Sequence, residues 1–191
     1  ILPNSFKSAL LPWLAGIPNR IGYSTELRNM LLTKKYKYKK HERTMVERYL
    51  HLANCKYNSQ IQPKLKISTK YQKSVIEKFQ IESNQKIIML CPDAEFGNAK
   101  KWPVEHWLSL AKLFSDQNYS VFFLGKDTNF DEYICRKDGL KDVRSLIGKT
   151  TLLDVAYLLS ISNLTISNDS GLMHVAGSVD SKIIAIYGSS S

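Results

Sequence analysis

The chain reads Leu164-Thr165-Ile166-Ser167-Asn168-Asp169-Ser170-Gly171-Leu172-Met173-His174-Val175-Ala176-Gly177-Ser178-Val179-Asp180-Ser181-Lys182-Ile183-Ile184-Ala185-Ile186-Tyr187 near its carboxyl end. This segment contains a short apolar run at 164–166, a polar loop, a helical run at 171–179 and a second apolar run at 183–187. Apolar runs of this length between polar loops predict buried strands. A helix between two such strands predicts a β-α-β unit with parallel strands.

The same alternation continues toward the amino terminus, back to about residue 84. Apolar runs predict strands at 87–90, 121–124 and 145–147, and apolar residues at helical spacing predict helices at 104–114, 130–137 and 152–159. Pro103 suits the start of a helix, and Thr151 and Asp154 have the spacing of a capping box. These features predict an α/β fold with a doubly wound parallel sheet, covered by helices on both faces.

Residues 1–83 have a less regular pattern. It predicts helices at 5–14, 44–54 and 69–80 and a strand at 17–23. Pro12 predicts a kink or an early end in the first helix. The polar segment 60–67 is typical of a linker, so we expect residues 1–83 to contain part of another domain and a linker.

Composition excludes two classes of protein. With 43% hydrophobic residues the chain is too apolar to be disordered, yet no apolar run approaches the roughly 20 residues of a membrane helix. The three cysteines are too widely spaced for a disulfide framework or a metal site, which indicates reduced thiols in a cytoplasmic protein: Cys55, Cys91 and Cys135. The chain begins with Ile1 and ends in serines directly after a predicted strand, so we expect a fragment.

The chain is basic, with a formal net charge of +10. This charge indicates an anionic partner or, alternatively, a coding bias toward lysine. The basic residues concentrate at 34–41, which read Lys34-Lys35-Tyr36-Lys37-Tyr38-Lys39-Lys40-His41. A solvated loop, a single-stranded nucleic-acid contact and a contact with anionic lipid all fit this run.

The first candidate site is the polar segment 168–174. It follows a predicted strand and begins a predicted helix, so it lies at the sheet edge where doubly wound folds bind ligands. The backbone N–H groups of Ser170, Gly171 and Leu172 predict an anion site, and Gly171 permits close approach to the backbone. Alternatively, Asp169 or Ser170 only caps the helix.

The second candidate site is the segment 91–103, which also joins a predicted strand to a predicted helix. Lys100 lies close to the helix start, where a cation is unfavourable against the helix dipole. A bound phosphate would reverse this penalty, which favours an anionic ligand between the two loops. The alternative is a solvated surface lysine.

The four histidines form no metal or catalytic pattern. His174 lies on an otherwise apolar helix, where a structural role is commoner than catalysis, and His41, His51 and His106 lack partners at metal-ligand spacing. The sequence contains no P-loop, no G-x-G-x-x-G and no nucleophile elbow.

Several motifs occur in a fixed order: Cys91-Pro92-x-Ala94-Glu95-Phe96-Gly97-x-Ala99-Lys100-x-Trp102-Pro103, Asn168-Asp169-Ser170-Gly171-Leu172-Met173-His174-Val175-Ala176 and Ala185-x-Tyr187-Gly188. The first half adds Leu2-Pro3-Asn4-Ser5-Phe6-Lys7-Ser8-Ala9-Leu10, Ile17-Pro18-x-Arg20-x-Gly22 and Met45-Val46-Glu47-Arg48-Tyr49. In these motifs the chain resembles the lipopolysaccharide heptosyltransferases over nearly its whole length. The resemblance implies a GT-B fold, in which two Rossmann-like domains face a cleft.

The resemblance also implies an activity, the inverting transfer of heptose from ADP-heptose to the heptosyl-Kdo-lipid A inner core in lipopolysaccharide biosynthesis. Residues 84–191 would be the ADP-heptose-binding domain, incomplete at its carboxyl end. Residues 1–83 would be the carboxyl-terminal part of the domain that receives the lipid acceptor, together with the linker.

By this resemblance, Lys100 would contact the diphosphate, Thr150 the adenine side and Asp169 the heptose. The contacts around the phosphates would come from Ser170, Gly171 and His174, with Leu172 and Met173 completing the substrate-binding set. An acidic residue after Gly125 would bind the ribose, and three remain open for this role: Asp127, Asp131 and Glu132.

The resemblance implies ADP-heptose and the lipid A-Kdo-heptose acceptor as partners, with no cofactor and no metal. It implies a cytoplasmic protein and is compatible with peripheral contact at the inner membrane. The family's catalytic base, an aspartate near the start of full-length enzymes, would precede Ile1, so we expect the fragment to have little or no turnover. A nucleic-acid-binding module that uses the basic residues 34–40 is the alternative function.

Overall fold

The computed structural model describes residues 1–38, 44–56, 58, 63–94, 101–135 and 139–188. The chain divides into a smaller unit, Ile1–Ile61, and a larger unit, Gln62–Ser191. The smaller unit contains α1 (Phe6–Leu14), β1 (Ile21–Ser24), a 3₁₀ helix (Arg28–Met30), β2 (Lys34–Lys37) and α2 (Met45–Leu52). The larger unit contains α3 (Thr69–Phe79), β3 (Ile87–Cys91), α4 (Val104–Asp116), β4 (Ser120–Phe123), α5 (Thr128–Cys135), β5 (Val143–Ser145), α6 (Leu152–Ser160), β6 (Leu164–Asn168), α7 (Gly171–Ser178) and β7 (Ile183–Ile186).

The larger unit is built on a five-stranded sheet in the order β5-β4-β3-β6-β7. All neighbouring strands are parallel, and Ile88 of β3 lies opposite both Val121 of β4 and Leu164 of β6. The chain therefore starts in the centre, adds strands on one side and then returns to the other side. This order is that of a doubly wound, Rossmann-like sheet, as the sequence predicts.

Helices cover both faces of this sheet. Because successive side chains of a strand point to opposite faces, Met89 enters the core formed with α3, α6 and α7, while Leu90 enters the core formed with α4 and α5. Trp107 of α4 is fully buried in the second core. Each large apolar side chain buried in this way contributes roughly 1.5–3 kcal/mol, which holds the helices in place on the sheet.

Several helices begin directly after residues that favour a helix start. At α6 the Thr151 hydroxyl accepts the N–H of Asp154 and the Asp154 carboxylate accepts the N–H of Thr151, so the predicted capping box is confirmed. Pro103 is the residue directly before α4. In the smaller unit, α1 contains Pro12 and ends two residues after it, at Leu14.

The strand predicted at 145–147 is shifted, because β5 occupies Val143–Ser145. Leu146 and Ile147 are buried, but they lie in the turn after the strand, where Gly148 has φ +70°. An apolar run indicates which residues are buried, but not which residues pair with a neighbouring strand, and this explains the shifted strand prediction. The strand predicted at 17–23 is likewise shorter and later, at Ile21–Ser24.

The smaller unit corrects the interpretation of residues 34–41 as a loop. Lys34–Lys37 form β2, which pairs in parallel with β1. Tyr36 packs with its ring centroid 4.5 Å from that of His51, while the neighbouring lysines are exposed. The alternation of lysine and tyrosine is therefore the alternation of a strand with one packed side. Residues 39–41 lie outside the described residues.

The two units divide between Ile61 and Gln62, within the predicted linker, rather than at the expected boundary between residues 83 and 84. Helix α3 belongs to the larger unit because Val75 and Phe79 are buried in one of its cores. Leu65 adds a backbone hydrogen bond, its N–H donating to the carbonyl of Ser178 over 2.8 Å. The observed units thus differ from the expected ranges 1–83 and 84–191.

Candidate functional site

A cavity of about 760 Å³ lies at the carboxyl edge of the larger sheet. Its walls come from the loops that follow β3, β4, β5 and β6, together with the first turns of α6 and α7. The direction of strand addition reverses between β3 and β6, and doubly wound folds bind ligands at this reversal. Its volume lies within the roughly 300–1,000 Å³ of small-molecule sites.

Four of the predicted site residues line this cavity: Thr150, Ser170, Gly171 and Leu172. Asp169, Met173 and His174 belong to the same loop and helix but do not line it, and the His174 side chain is exposed. Lys100 lies outside the described residues. The structure thus brings the β6–α7 segment and Thr150 to one cavity.

The amino terminus of α7 forms one wall. Ser170 is the N-cap residue, but its side chain makes no capping hydrogen bond, so the alternative in which Ser170 serves only as a cap is not supported. A Cβ atom added at Gly171 would meet no heavy atom within 4 Å, so the space in front of the helix start is open. The positive end of a helix dipole beside open space favours an anion.

An ion pair joins the loop after β3 to the loop after β4. Lys101 donates from Nζ to Asp127 Oδ2 over 3.0 Å, and both residues line the cavity. The hydrogen bond from Lys101 is the main reason that the pKa of Asp127 lies below its ordinary value. Of the three acidic residues considered for the ribose, only Asp127 lines the cavity, whereas Asp131 and Glu132 do not.

Asp93 was not predicted as a site residue, yet it organises the same wall. Its carboxylate accepts the backbone N–H groups of Lys126 and Asp127. A Cβ atom at Gly125 would lie 2.6 Å from Asp93 Oδ2, so this contact requires glycine there. The sequence indication was a glycine directly after a predicted strand, since such a glycine often marks a close approach of another group to the backbone.

Asn168 is a second residue that the sequence interpretation left without a function. It is 0% exposed at the end of β6, where its Nδ2 donates to the carbonyl of Pro92 and its Oδ1 accepts the Trp102 N–H over 3.4 Å. Both partners belong to the segment that follows β3. One amide therefore ties the two candidate loops together at the point where strand addition reverses.

The wall formed by Thr150 and Thr151 is fixed from behind by Asp154. Its carboxylate accepts Lys78 Nζ over 2.7 Å and the Tyr71 hydroxyl over 2.8 Å, in addition to the Thr151 N–H. Burial alone would raise the pKa of Asp154, but the hydrogen bonds from these three groups lower it to about 2. The start of α6 is thereby anchored to α3.

Two negative findings concern only the described part of the chain. There, no three His, Cys, Asp or Glu side chains are grouped as metal ligands would be. Among the helices described, none combines the length and apolar character that a membrane crossing requires.

The strand order and the cavity at its reversal define a Rossmann-like domain of the α/β class. The family model for glycosyltransferase family 9 (heptosyltransferase) matches residues 1–191. The chain belongs to this family, and the resemblance deduced from its motifs is confirmed.

Relatives with curated names match the full chain. It is 37% identical over 206 residues to lipopolysaccharide heptosyltransferase 2 of Escherichia coli (strain K12), covering 100% of this chain and 59% of that relative. It is 36% identical over 211 residues to lipooligosaccharide heptosyltransferase 2 of Haemophilus influenzae, covering 100% of this chain and 60% of that relative. The chain thus spans about three fifths of the length of these relatives.

Solved structures agree with the fold. The E. coli ADP-heptose LPS heptosyltransferase II superposes with a TM-score of 0.85 at 35% identity, covering 99% of this chain and 62% of that one. A glycosyl transferase family 9 structure from Veillonella parvula gives a TM-score of 0.82 at 22% identity, covering 100% and 56%. The expected GT-B type of α/β fold is confirmed, and none of these matches supports a nucleic-acid-binding module.

Proposed function

We propose that this chain supplies the donor-binding part of a heptosyltransferase that transfers heptose from ADP-heptose to the heptosyl-Kdo-lipid A inner core. Family membership and the names of the relatives support this proposal. The observation that carries it is the open amino terminus of α7 in the wall of the 760 Å³ cavity. A diphosphate is the part of the donor that such a helix start favours.

In this proposal the diphosphate lies against the backbone N–H groups of Gly171 and Leu172. Lys100 supplies a positive charge from the loop that follows β3, and its neighbour Lys101 already lines the cavity. Thr150 contacts the adenine side, and Asp169 holds the heptose. Ser170, Met173 and His174 complete the set around the phosphates.

Asp127 is the preferred ribose contact among the three acidic residues. It lines the cavity, and its carboxylate, whose pKa lies below the ordinary aspartate value, is ionised at neutral pH. An ionised carboxylate accepts hydrogen bonds from ribose hydroxyls, as acidic residues do in other doubly wound nucleotide sites. Lys101 holds this carboxylate in position through their 3.0 Å contact.

The reaction that we propose is a single displacement. The acceptor hydroxyl attacks the anomeric carbon of the heptose and gives its proton to a base, while the bond from that carbon to the ADP oxygen breaks. Negative charge then develops on the departing ADP. The start of α7 and Lys100 stabilise this charge, as preorganised donors do where negative charge develops in a transition state. Inversion follows from attack opposite to the leaving group.

Titration calorimetry of the chain with ADP and ADP-heptose tests the donor site, after circular dichroism has established that each variant is folded. We expect Lys100→Ala to weaken binding at least tenfold, because a charge-assisted hydrogen bond is lost. Lys112→Ala is the matched control, since Lys112 lies exposed on α4 and pairs with Asp116. Equal affinities of Lys100→Ala and Lys112→Ala would remove Lys100 from the proposal.

The sugar part of the site has its own readout. If Asp169 holds the heptose, ADP-heptose binds more tightly than ADP, and Asp169→Asn abolishes the difference while ADP binding persists. A folded chain that binds neither ligand contradicts the proposed donor site. Release of ADP in the presence of the lipid acceptor tests the expectation that this chain has little turnover.

A further inference from the structure

The cavity of the larger unit contains a carboxylate that the proposed donor contacts do not use. Asp93 lines this cavity together with Ser170 and Gly171 at the start of α7. A carboxylate beside a bound diphosphate weakens binding, because like charges repel each other. The presence of Asp93 in the cavity wall is therefore explained by the contacts that it makes with the protein.

The Asp93 carboxylate holds the backbone directly after β4. Its Oδ2 atom accepts the N–H groups of Lys126 and Asp127, the second over 3.3 Å. This approach is possible because Gly125 has no side chain, since a Cβ atom there would lie 2.6 Å from Asp93 Oδ2 and 2.9 Å from Oδ1. The peptide between Lys126 and Asp127 is thereby held in one orientation.

The Asp127 carboxylate retains capacity for a ligand. Its Oδ1 accepts the Asn129 N–H over 3.2 Å, and its Oδ2 accepts Lys101 Nζ over 3.0 Å. A carboxylate offers about four acceptor positions, so further hydrogen bonds can form. The Asp127 side chain is 32% exposed in the cavity wall, where ribose hydroxyls can reach it.

The ion pair with Lys101 does not by itself define where the Asp127 carboxylate lies. The Lys101 side chain is 39% exposed, and exposed ion pairs hold long side chains only weakly. The direction in which the Asp127 side chain points follows from its backbone. Asp93 anchors this backbone from the loop after β3.

We propose that Asp93 is a positioning residue that makes the cavity select nucleotides with an intact ribose diol. It acts through the backbone of Lys126 and Asp127, which it holds so that the Asp127 carboxylate accepts hydrogen bonds from the 2′ and 3′ hydroxyls. This positioning rests on the proposed donor function, in which Asp127 contacts the ribose. Without the Asp93 carboxylate, the diphosphate still binds at the start of α7, but the ribose contact is lost.

Titration calorimetry with ADP and 2′,3′-dideoxy-ADP tests the proposal, because the two ligands differ only in the ribose hydroxyls. We expect the wild-type chain to prefer ADP at least tenfold, since hydrogen bonds to a charged group are lost with the dideoxy ligand. Asp127→Ala and Asp93→Ala should each reduce this preference to less than about threefold. The readout is the ratio of the two affinities, because loss of a negative charge near the diphosphate changes both affinities equally.

Two further variants separate positioning from a general effect of the substitution. In Asp93→Asn the preference for ADP should be retained, because one oxygen accepts both N–H groups and an amide oxygen can replace it. Asp180→Ala is the matched control, which removes an acidic side chain from the same unit. Asp180 is 63% exposed, pairs with Lys64 and does not line this cavity, so the preference should stay unchanged.

Equal preferences for ADP in Asp93→Ala and Asp180→Ala overturn the proposal. If circular dichroism shows that Asp93→Ala does not fold, Gly125→Ala takes its place, because the added methyl group displaces the carboxylate while Asp93 remains. Retention of the wild-type preference in that variant also overturns the proposal. A folded wild-type chain that binds neither ligand contradicts the donor site itself, whereas one that binds both equally contradicts the ribose contact and leaves the diphosphate contacts in place.

Discussion

Replacement of Asp154 by Asn removes a buried charge at almost constant side-chain size. The residue is 2% exposed, and its carboxylate accepts Lys78 Nζ, the Tyr71 hydroxyl and the Thr151 N–H over 2.7–2.9 Å. Although burial opposes ionisation, these bonds lower the pKa of Asp154 from 3.8 to about 2. At 1.36 kcal/mol for each pKa unit, the ionised carboxylate contributes about 2 kcal/mol to folding.

The sign of the pH dependence follows from the direction of the shift. The pKa of Asp154 is lower in the folded than in the unfolded chain, so its contribution is complete above about pH 5 and is lost as the pH falls toward 2. Asp154→Asn lacks this contribution at every pH. We therefore expect the variant to be about 2 kcal/mol less stable than the wild type at pH 7, and the gap to narrow in acid.

Urea unfolding followed by tryptophan fluorescence measures this gap. The chain has three tryptophans, and a Trp13→Phe background leaves Trp102 and Trp107, which both belong to the larger unit. Asp116→Asn is the control, because Asp116 and Lys112 are both 58% exposed and such helix pairs contribute about 0.3–0.5 kcal/mol. The reasoning is refuted if the two variants lose equal stability, or if the Asp154 gap is the same at pH 7 and pH 3.

Three further predictions concern the cavity walls of the larger unit. Gly171→Ala should stabilise the fold by about 0.5–1 kcal/mol, since the added methyl group meets no atom. The same substitution should weaken ADP binding at least tenfold in titration calorimetry. The control Gly177→Ala should leave the ADP affinity unchanged. Gly125→Ala should displace the Asp93 carboxylate from its two N–H donors and lower the free energy of unfolding in urea by about 2–3 kcal/mol. In an Asp93→Ala background the same substitution should lower it clearly less. Asn168→Ala should leave the buried Pro92 carbonyl without its donor and lower the free energy of unfolding by about 2 kcal/mol. A loss below about 0.5 kcal/mol would contradict the conclusion that the Asn168 amide ties the two loops together.

The larger sheet was predictable because local and tertiary requirements agree there. The apolar residues at 87–90 and 121–124 are all buried. They lie in β3 and β4, except for Leu124, which directly follows β4. The helical spacing at 104–114 corresponds to α4. The capping box at Thr151 depends on residues three apart, so it is visible in the sequence. Strand β2 was missed because its single packed side chain, Tyr36, depends on contacts with distant residues.

The candidate site was predictable only in part. The segment 168–174 could be assigned to the sheet edge because its strand and helix are both clear in the pattern. Asp93 and Asn168 were missed because their partners lie 33 to 76 positions away in the sequence. Three of their partners are backbone N–H groups and one is a backbone carbonyl, and no side-chain motif reveals such partners.

The sequence by itself determined the fold class, the family and the segment that starts α7, since these depend on periodicity and on short motifs. Only the tertiary structure decided which side chains share a cavity. It brought Thr150 and Gly171 to one cavity and paired Lys101 with Asp127. The physical reason is that strand order and the approach of loops across the sheet edge are set by packing of the whole chain, whereas periodicity records each segment alone.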